Sequence, residues 1–324
     1  MSNLLLFAPL APYQITLIVM GVVLFAVALW LAVCAVIAND MLRRATRPHR
    51  HSIQVMRERQ LANEHIDLDT YDNVWQKQQF TLNGLHGKLW CEQIINPADN
   101  GQRRRVAVIC HGHTVNHINA IKYATIFYNM GFSIVTYDQC YFGNSEGNFT
   151  TLGYYERHDL STVLDYTRNT FGQDCVIALH GESMGAVTVL DVLALRSDID
   201  LVIADCPFGT NFGYYCELYT HLTKLPPFPV VEMSKSLAKL KFGYKFDDCN
   251  PIDAVKQSNV PICFIHGKDD DLINCHHSVD MYNVCNNPQS ELYLVDGARH
   301  ACSHMVDNKA YADIVKNFVN KVLD

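Results

Sequence analysis

From Phe80 onward, short apolar runs alternate with longer segments of helical length. The short runs predict strands, with a hairpin formed by the first two. The predicted strands are 80–83, 87–95, 106–110, 132–137, 176–179, 201–204, 262–265 and 291–295, and the predicted helices are 120–130, 154–171, 276–284 and 309–323. Strands that alternate with helices favour an α/β fold with a mainly parallel sheet flanked by helices.

A long apolar segment precedes this alternating region. Residues 15–38 are 24 residues of almost unbroken apolar sequence, and no charged residue occurs before Asp40. At about 1.5 Å per residue, such a helix spans a hydrocarbon core of about 30 Å. A cleaved signal peptide needs a basic start and a shorter apolar core, and a buried helix of this length would be unusual at this place. We therefore predict an N-terminal transmembrane anchor at residues 1–38.

The charges that flank the apolar segment predict its orientation. No Lys or Arg precedes it, whereas Arg43, Arg44, Arg47 and Arg50 follow it. The positive-inside rule then predicts a single-pass protein whose C-terminal bulk lies in the cytoplasm.

The rest of the chain divides into a connector and a large domain. Residues 39–78 are polar and charged, which predicts a juxtamembrane helix and linker; its arginines either contact anionic headgroups or are simply solvated. Residues 79–324 form the predicted catalytic domain. Within it, residues 208–248 are rich in aromatic side chains and lie between two predicted strands. This favours an inserted helical cap, and a long crossover packed on the sheet is the alternative.

Composition limits the partners and the compartment. A hydrophobic content of 49% provides for a substantial core, and a net charge of −7 argues against a nucleic-acid partner. The 12 cysteines are scattered without a Cys-x-x-Cys pair. Free thiols are typical of a reducing compartment, in agreement with a cytoplasmic domain.

The segment 176–197 carries the most informative motif. A short apolar run leads into Gly181-Glu182-Ser183-Met184-Gly185, and an apolar run of helical length follows. This strand, sharp turn and helix are typical of a nucleophile elbow, which pushes a serine hydroxyl out of the sheet. Glycines at both ends of the motif remove Cβ atoms that would collide across the turn. An ordinary turn is the alternative interpretation.

An activated serine needs a base, and the base needs an orienting acid. Candidates for both follow predicted strands, at the sheet edge where α/β proteins bind ligands. We predict His300 as the base, in preference to His304, because it lies nearer to the end of its strand. Asp270 is the predicted orienting acid, with Asp269 as its closest rival.

A tetrahedral oxyanion needs two backbone N–H donors. The residue after the nucleophile, Met184, is one predicted donor. The other is expected from the loop after strand 106–110, where Gly112 allows a close approach of the backbone and His113 supplies the N–H group.

The same loops contain many histidines, and these allow a metal site as a rival interpretation. His-x-His spacing is common in zinc hydrolases, where it is usually followed by an Asp-His pair that this sequence lacks. The serine constellation already accounts for these loops, so we predict no metal and no cofactor. The histidine-rich groups are His111, His113, His117, Cys275-His276-His277 and His300.

Five motifs from residue 79 to the C-terminus together resemble the serine-hydrolase branch of the α/β-hydrolase superfamily. They are His111-Gly112, Gly143-Asn144-Ser145-Glu146-Gly147, Gly181-Glu182-Ser183-Met184-Gly185, His266-Gly267-x-x-Asp270 and Gly297-Ala298-Arg299-His300. More narrowly, the chain is similar to membrane-anchored bacterial α/β hydrolases with Gly-His-Thr-Val-Asn and Gly-Glu-Ser-Met-Gly. It is more distantly similar to membrane-associated acyl-protein thioesterases.

This resemblance implies hydrolysis of an ester, thioester or amide through an acyl-enzyme on Ser183, with His300 and Asp270 as the other triad members. Our leading hypothesis is a membrane-anchored serine hydrolase of the carboxylesterase type, acting on a small-molecule or lipid-like acyl substrate. A serine peptidase of the same fold that cuts short peptides, and a non-catalytic protein that binds a partner through its cap, are the alternatives. The oligomeric state and the acyl-chain preference are not predicted.

Overall fold

An eight-stranded sheet lies at the centre of the computed structural model, which describes residues 11–62, 67–99 and 103–324. Its strands are β1 (Gln76–Gly84), β2 (Gly87–Ile95), β3 (Arg105–Cys110), β4 (Ser133–Tyr137), β5 (Val176–Glu182), β6 (Leu201–Asp205), β7 (Ile262–Gly267) and β8 (Glu291–Val295). Their order across the sheet is β1-β2-β4-β3-β5-β6-β7-β8. β2 pairs antiparallel with β1 and β4, and every other neighbouring pair is parallel. The predicted mainly parallel sheet is confirmed.

Helices flank this sheet and extend beyond it. They are α1 (Pro12–Thr46), α2 (Ile53–Ala62), α3 (His117–Asn129), α4 (Glu156–Phe171), α5 (Met184–Asp191), α6 (Asn211–Thr223), α7 (Val230–Phe242), α8 (Pro251–Gln257), α9 (His276–Val284), α10 (Ser303–Val306) and α11 (Asn308–Leu323). Each predicted strand and helix overlaps an observed one. β5 continues three residues beyond the apolar run that predicts it, because the ladder of backbone hydrogen bonds to β3 and β6 does not depend on apolar side chains.

The apolar strands are buried because the sheet has a core on each face. In β3, Val106 and Val108 belong to one core, whereas Ala107 and Ile109 belong to the other. Successive side chains of a strand point to opposite faces, so a strand covered on both sides reads as a continuous apolar run. The first core includes side chains of α4, α5, α8 and α9, and the second includes side chains of α2, α3 and α11.

The N-terminal helix α1 has 35 residues and, among the described helices, is the one long and apolar enough to cross a membrane by length and composition. It continues past residue 38, where the predicted anchor ends, and stops at Thr46. Arg43 and Arg44 lie in its last turn, where cations interact favourably with the helix dipole. Residues 1–10 of the predicted anchor and 63–66 of the predicted linker lie outside the described residues.

The end of α1 packs against residues 208–248, the region that interrupts the alternation of strands and helices. Residues 208–248 contain α6 and α7, and the Ser234 hydroxyl of α7 donates a hydrogen bond to the carbonyl of Ala38, 3.0 Å away. A third apolar cluster includes Leu42 of α1, Tyr215 of α6 and Met184 of α5. The end of α1, the two helices of this region and the start of α5 therefore share one core.

Candidate active site

Ser183 occupies a sharp turn between β5 and α5. Its φ is 55°, a conformation that side-chain-bearing residues rarely adopt, and its N–H donates to the carbonyl of Asp205 at 2.8 Å. The flanking glycines permit this turn. A Cβ atom on Gly181 would lie 2.2 Å from the carbonyl oxygen of Gly185, and one on Gly185 would lie 2.2 Å from that of Cys110. No larger residue fits at either position without moving the backbone.

The structure brings Ser183, His300 and Asp270 into one hydrogen-bonded chain. The Ser183 Oγ lies 2.9 Å from Nε2 of His300. The other ring nitrogen, Nδ1, lies 2.7 Å from Oδ2 of Asp270. A carboxylate only accepts, so Nδ1 carries the proton and Nε2 is free to accept the serine proton. This is the geometry of a nucleophile, its base and an orienting acid.

The environment of Asp270 holds it ionised. Burial by itself would raise the pKa of this carboxyl group, but hydrogen bonds from His266 and His300 outweigh burial and hold the pKa well below its ordinary value. The Oδ1 atom also accepts the N–H groups of Leu272 and Ile273, at 3.0 and 2.8 Å. Asp269 is exposed. The structure therefore pairs Asp270, and not its rival, with His300.

His266 supports Asp270 from the end of β7. Its Nδ1 lies 2.7 Å from the Ser278 hydroxyl, and its Nε2 lies 2.9 Å from the carbonyl of Ile273 and 3.3 Å from Oδ2 of Asp270. Because Nε2 faces two acceptors, it carries the proton. The sequence contained this signal in His266-Gly267-x-x-Asp270, but the supporting role of His266 was not predicted.

The two predicted oxyanion donors, Met184 and His113, line the same cavity as Ser183. Met184 is the first residue of α5, so its N–H is one of the first-turn amides without an intrahelical acceptor. His113 lies on the loop after β3 and lines the same cavity as Ser183 and Met184. Its ring Nε2 lies 3.0 Å from the carbonyl of Ala45, so the loop is held to the end of α1.

A buried network that was not predicted lies beneath the elbow. Glu182 precedes Ser183 and forms an ion pair of 2.8 Å with Lys122 of α3. Its carboxylate also accepts from the Tyr123 hydroxyl and the Asn119 amide, at 2.5 and 2.8 Å. Burial would raise the pKa of Glu182, but Lys122 and Tyr123 outweigh burial and lower it. The signal in the sequence was Lys122, the one Lys, Arg, Asp or Glu in α3.

A cavity of about 360 Å³ opens in front of the serine. Most of its wall is apolar and comes from α6, from residues 272–273 and from Leu152 and Phe208. A further wall comes from Met41, Arg44 and Ala45 of α1. The sequence assigned these last residues to a connector, because nothing local shows that the helix end would pack beside Ser183.

The histidines of the rival metal interpretation fall into separate groups in the structure. His111 accepts the N–H of Gln139 at 2.9 Å, and His117 lies 2.9 Å from Asp138. His276 and His277 both contact Glu217 of α6. Glu217, His276 and His277 have potential ligand atoms within 4.8 Å of one another, but none of the three lines the cavity in front of Ser183.

Comparison with known proteins places this chain in a family. A family model described as serine aminopeptidase, S33, matches residues 101–233. The uncharacterised protein YqkD of Bacillus subtilis is 30% identical over 268 residues, which cover 82% of this chain and 86% of that protein. The α/β-hydrolase domain-containing protein 17B of Homo sapiens is 26% identical over 191 residues, covering 59% of this chain and 57% of that protein. The chain belongs to the α/β-hydrolase superfamily.

Solved structures have the same fold as this α/β hydrolase. The esterase Pf2001 of Pyrococcus furiosus superimposes with a TM-score of 0.64 at 20% identity, covering 79% of this chain and 96% of that chain. Est1E of Butyrivibrio proteoclasticus superimposes with a TM-score of 0.59 at 17% identity, covering 76% and 98%. The predicted α/β-hydrolase fold is confirmed.

Proposed function

We propose that this α/β hydrolase is a membrane-anchored serine hydrolase that cleaves an ester or thioester through an acyl-enzyme on Ser183. The observation that carries the proposal is the hydrogen-bonded chain from Ser183 through His300 to Asp270, with the serine in a strained turn that points its hydroxyl into an apolar cavity. Strain of this kind is retained where the surrounding structure fixes it, and it clusters at active sites.

Acylation begins when Ser183 attacks the acyl carbonyl and its proton moves to Nε2 of His300. The imidazolium that forms is stabilised by Asp270, which stays ionised and holds the ring in place. The negative charge that develops on the carbonyl oxygen is met by the N–H groups of Met184 and His113. His300 then returns its proton to the leaving alcohol or thiol, and the acyl group stays on Ser183.

Deacylation repeats these steps with water as the nucleophile. His300 takes a proton from water as the hydroxide equivalent attacks the acyl-enzyme, and it then protonates Ser183 as the acyl group leaves as a carboxylic acid. Both half-reactions use only groups of this chain and water.

The cavity wall favours an acyl substrate over the amino terminus of a peptide. An aminopeptidase binds a cationic amine, for which a carboxylate is the natural partner. Among the described residues that line the cavity, none is Asp or Glu, and Arg44 is a cation. The wall is otherwise largely apolar, and a cavity of about 360 Å³ lies within the usual range for small-molecule sites. A hydrophobic acyl group fits this chemistry.

The proposed anchor is the apolar part of α1. Its side chains between residues 15 and 33 are exposed, which is unfavourable in water but suits lipid. The four arginines that follow support a cytoplasmic location for the domain of residues 79–324, with residues 39–78 as the juxtamembrane segment. Residues 208–248 act as the cap that closes over the cavity.

A fluorophosphonate probe tests the mechanism directly. Full-length protein in detergent micelles is treated with the probe, and nitrophenyl esters of increasing acyl length are then assayed. We expect labelling and turnover in the wild type and neither in Ser183→Ala. Labelling with turnover of peptides and not of esters would favour the peptidase, and an unlabelled wild type would favour a non-catalytic binding protein.

A further inference from the structure

We infer that the turn between α6 and α7 sits in the hydrocarbon of the bilayer, and that acyl chains reach the cavity along this edge. We call residues 222–229 the cap tip. The inference rests on the proposed function, because it takes α1 as a transmembrane helix. It goes further by naming a second membrane-contacting surface and the side from which the substrate enters.

The position of the cap tip follows from the way α7 lies along α1. At the start of α7, Phe228 and Pro229 border one groove together with Leu31 and Ala35 of α1. One to two turns later, the hydroxyl of Ser234 bonds to the carbonyl of Ala38. At the end of α7, the ring of Phe242 lies 5.8 Å from the guanidinium of Arg47. The two helices therefore run side by side in the same direction, and each level of α7 corresponds to a level of α1.

This register fixes the depth of the cap tip. The first charged residue of α1 is Asp40, which marks the end of the apolar span. Leu31 and Ala35 precede it by nine and five residues, which is about 14 and about 8 Å of helix. A side chain packed between them lies at the depth of the acyl chains. Phe228 is therefore below the membrane surface if α1 spans the bilayer.

The apolar side chains of the cap tip suit that depth, and its one charged residue, Lys224, is exposed and long enough to extend its ammonium group toward the headgroups. Leu222, Leu225 and Phe228 are 71, 56 and 73% exposed, although all three are large and apolar. Contiguous exposed apolar surface marks an interaction site. This surface continues into the lipid-facing side of α1 through the groove that Phe228 shares with Leu31, whose one charged lining residue, Glu232, is paired with Lys235. That continuity identifies the bilayer as its partner.

The cap tip leads to the cavity. Leu222 belongs to the cap tip and also lines the cavity in front of Ser183. Met41, the first residue after Asp40, lines the same cavity. The opening between α6 and α1 therefore lies at the level where hydrocarbon gives way to headgroups. An ester of a membrane-embedded amphiphile could place its carbonyl at Ser183 without its acyl chain crossing water.

The depth of the cap tip in the bilayer can be measured without an assay of activity. Phe228→Trp is made in a Trp30→Phe background, since Trp30 of α1 would also report on lipid, and the full chain is placed in phosphatidylcholine vesicles. Lipids brominated on their acyl chains are expected to quench the new tryptophan at least about twofold more than in Leu240→Trp in the same background. Leu240 of α7 is 80% exposed but lies beside the charged end of α1, so it is the matched control. Equal quenching at both positions would overturn the inference, as would shielding of residue 228 by a second copy of the chain.

Turnover tests the route of the substrate. Phe228→Asp and Leu240→Asp are compared on a water-soluble nitrophenyl acetate and on 4-methylumbelliferyl palmitate dissolved in the same vesicles. We expect Phe228→Asp to keep the soluble activity within about twofold and to lose at least about tenfold on the vesicle-borne ester, with Leu240→Asp unchanged on both. A similar rate for both variants on the vesicle-borne ester would contradict the proposed route. If Phe228→Trp is quenched as expected but the wild type turns over no ester, the membrane contact stands and the proposed function fails.

Discussion

The ammonium group of Lys122 lies 2.8 Å from the carboxylate of Glu182, and both side chains are buried directly behind the turn that carries Ser183. This pair connects helix α3 to the last residue of β5. Glu182 is also the residue before the proposed nucleophile, so the contacts of its carboxylate hold the chain next to the elbow. The ion pair therefore ties the stability of the domain to the geometry of the site.

Removal of one partner of this pair should destabilise the protein strongly. Lys122→Met leaves the Glu182 carboxylate buried without its cation, and we expect a loss of about 3 to 5 kcal/mol in the free energy of unfolding. Urea unfolding of the full chain in detergent measures the loss. The control is Lys309→Met, which removes an exposed ion pair with Asp313 and should cost less than about 1 kcal/mol.

The double variant Lys122→Met/Glu182→Gln distinguishes the stability lost with the ion pair from the stability lost with side-chain packing. Because it leaves no uncompensated charge, it should recover part of the stability that Lys122→Met loses. The alternative is that the two side chains act independently. The double variant would then be less stable than Lys122→Met by the full loss in the free energy of unfolding that Glu182→Gln causes alone.

Asp270 and Asp269 are adjacent carboxylates with different environments, so they form a matched pair. Asp270→Asn is expected to lower kcat by on the order of 10³ to 10⁴, the magnitude seen when the orienting acid of a serine protease is replaced by its amide. Asp269→Asn, at an exposed position, should stay within about twofold of the wild type. Steady-state hydrolysis of a nitrophenyl ester measures both. Equal losses in the two variants would refute the assignment of Asp270 as the orienting acid.

Asp205 should make stability depend on pH. Burial, together with the charge of Glu182, raises the pKa of its carboxyl group to about 6. In the unfolded chain it ionises near pH 4, so the folded state holds an extra proton between about pH 4 and pH 6. The protonated group therefore stabilises the folded state at low pH. As the pH rises through this window, the free energy of unfolding falls by about 3 kcal/mol in all.

Asp205→Asn should remove this decrease in stability with rising pH, because an amide does not ionise. Relative to the wild type, the variant should gain up to about 3 kcal/mol in the free energy of unfolding when the pH is raised from 4 to 7. Denaturant unfolding at the two pH values gives the difference. A difference between variant and wild type that does not change with pH would mean that Asp205 ionises alike in both states.

The end of α1 should influence which acyl chains are accepted. Ala45 lines the cavity, so Ala45→Phe is expected to reduce the cavity volume. The acyl-chain length with the highest kcat/KM should then shift toward shorter nitrophenyl esters. Each methylene that no longer fits should lower kcat/KM about fourfold, because burial of one methylene contributes about 0.8 kcal/mol. Ala32→Phe, on an exposed face of the same helix, is the control and should leave the optimum unchanged. An unchanged optimum in both variants would mean that α1 is not a wall of the acyl site.

Sequence patterns predicted the elements of the sheet well for a physical reason. Strands covered on both faces are mostly apolar, so β3 and β5 stand out as short apolar runs, whereas the helices between them are longer. The end of β5 was missed because residues 180–182 pair through their backbones, and backbone pairing leaves no trace in side-chain polarity.

The sequence by itself determined which turn would present Ser183, because the two glycines, the strand and the helix that shape the turn are neighbours in the chain. It also singled out His300 and Asp270, since each follows a strand at the same edge of the sheet. Only the tertiary structure decided that Asp270 and not Asp269 faces His300, that Lys122 neutralises Glu182, and that Ala45 lines the cavity. Those contacts join segments far apart in the sequence, and they exist only after the sheet, α3 and the end of α1 have packed together.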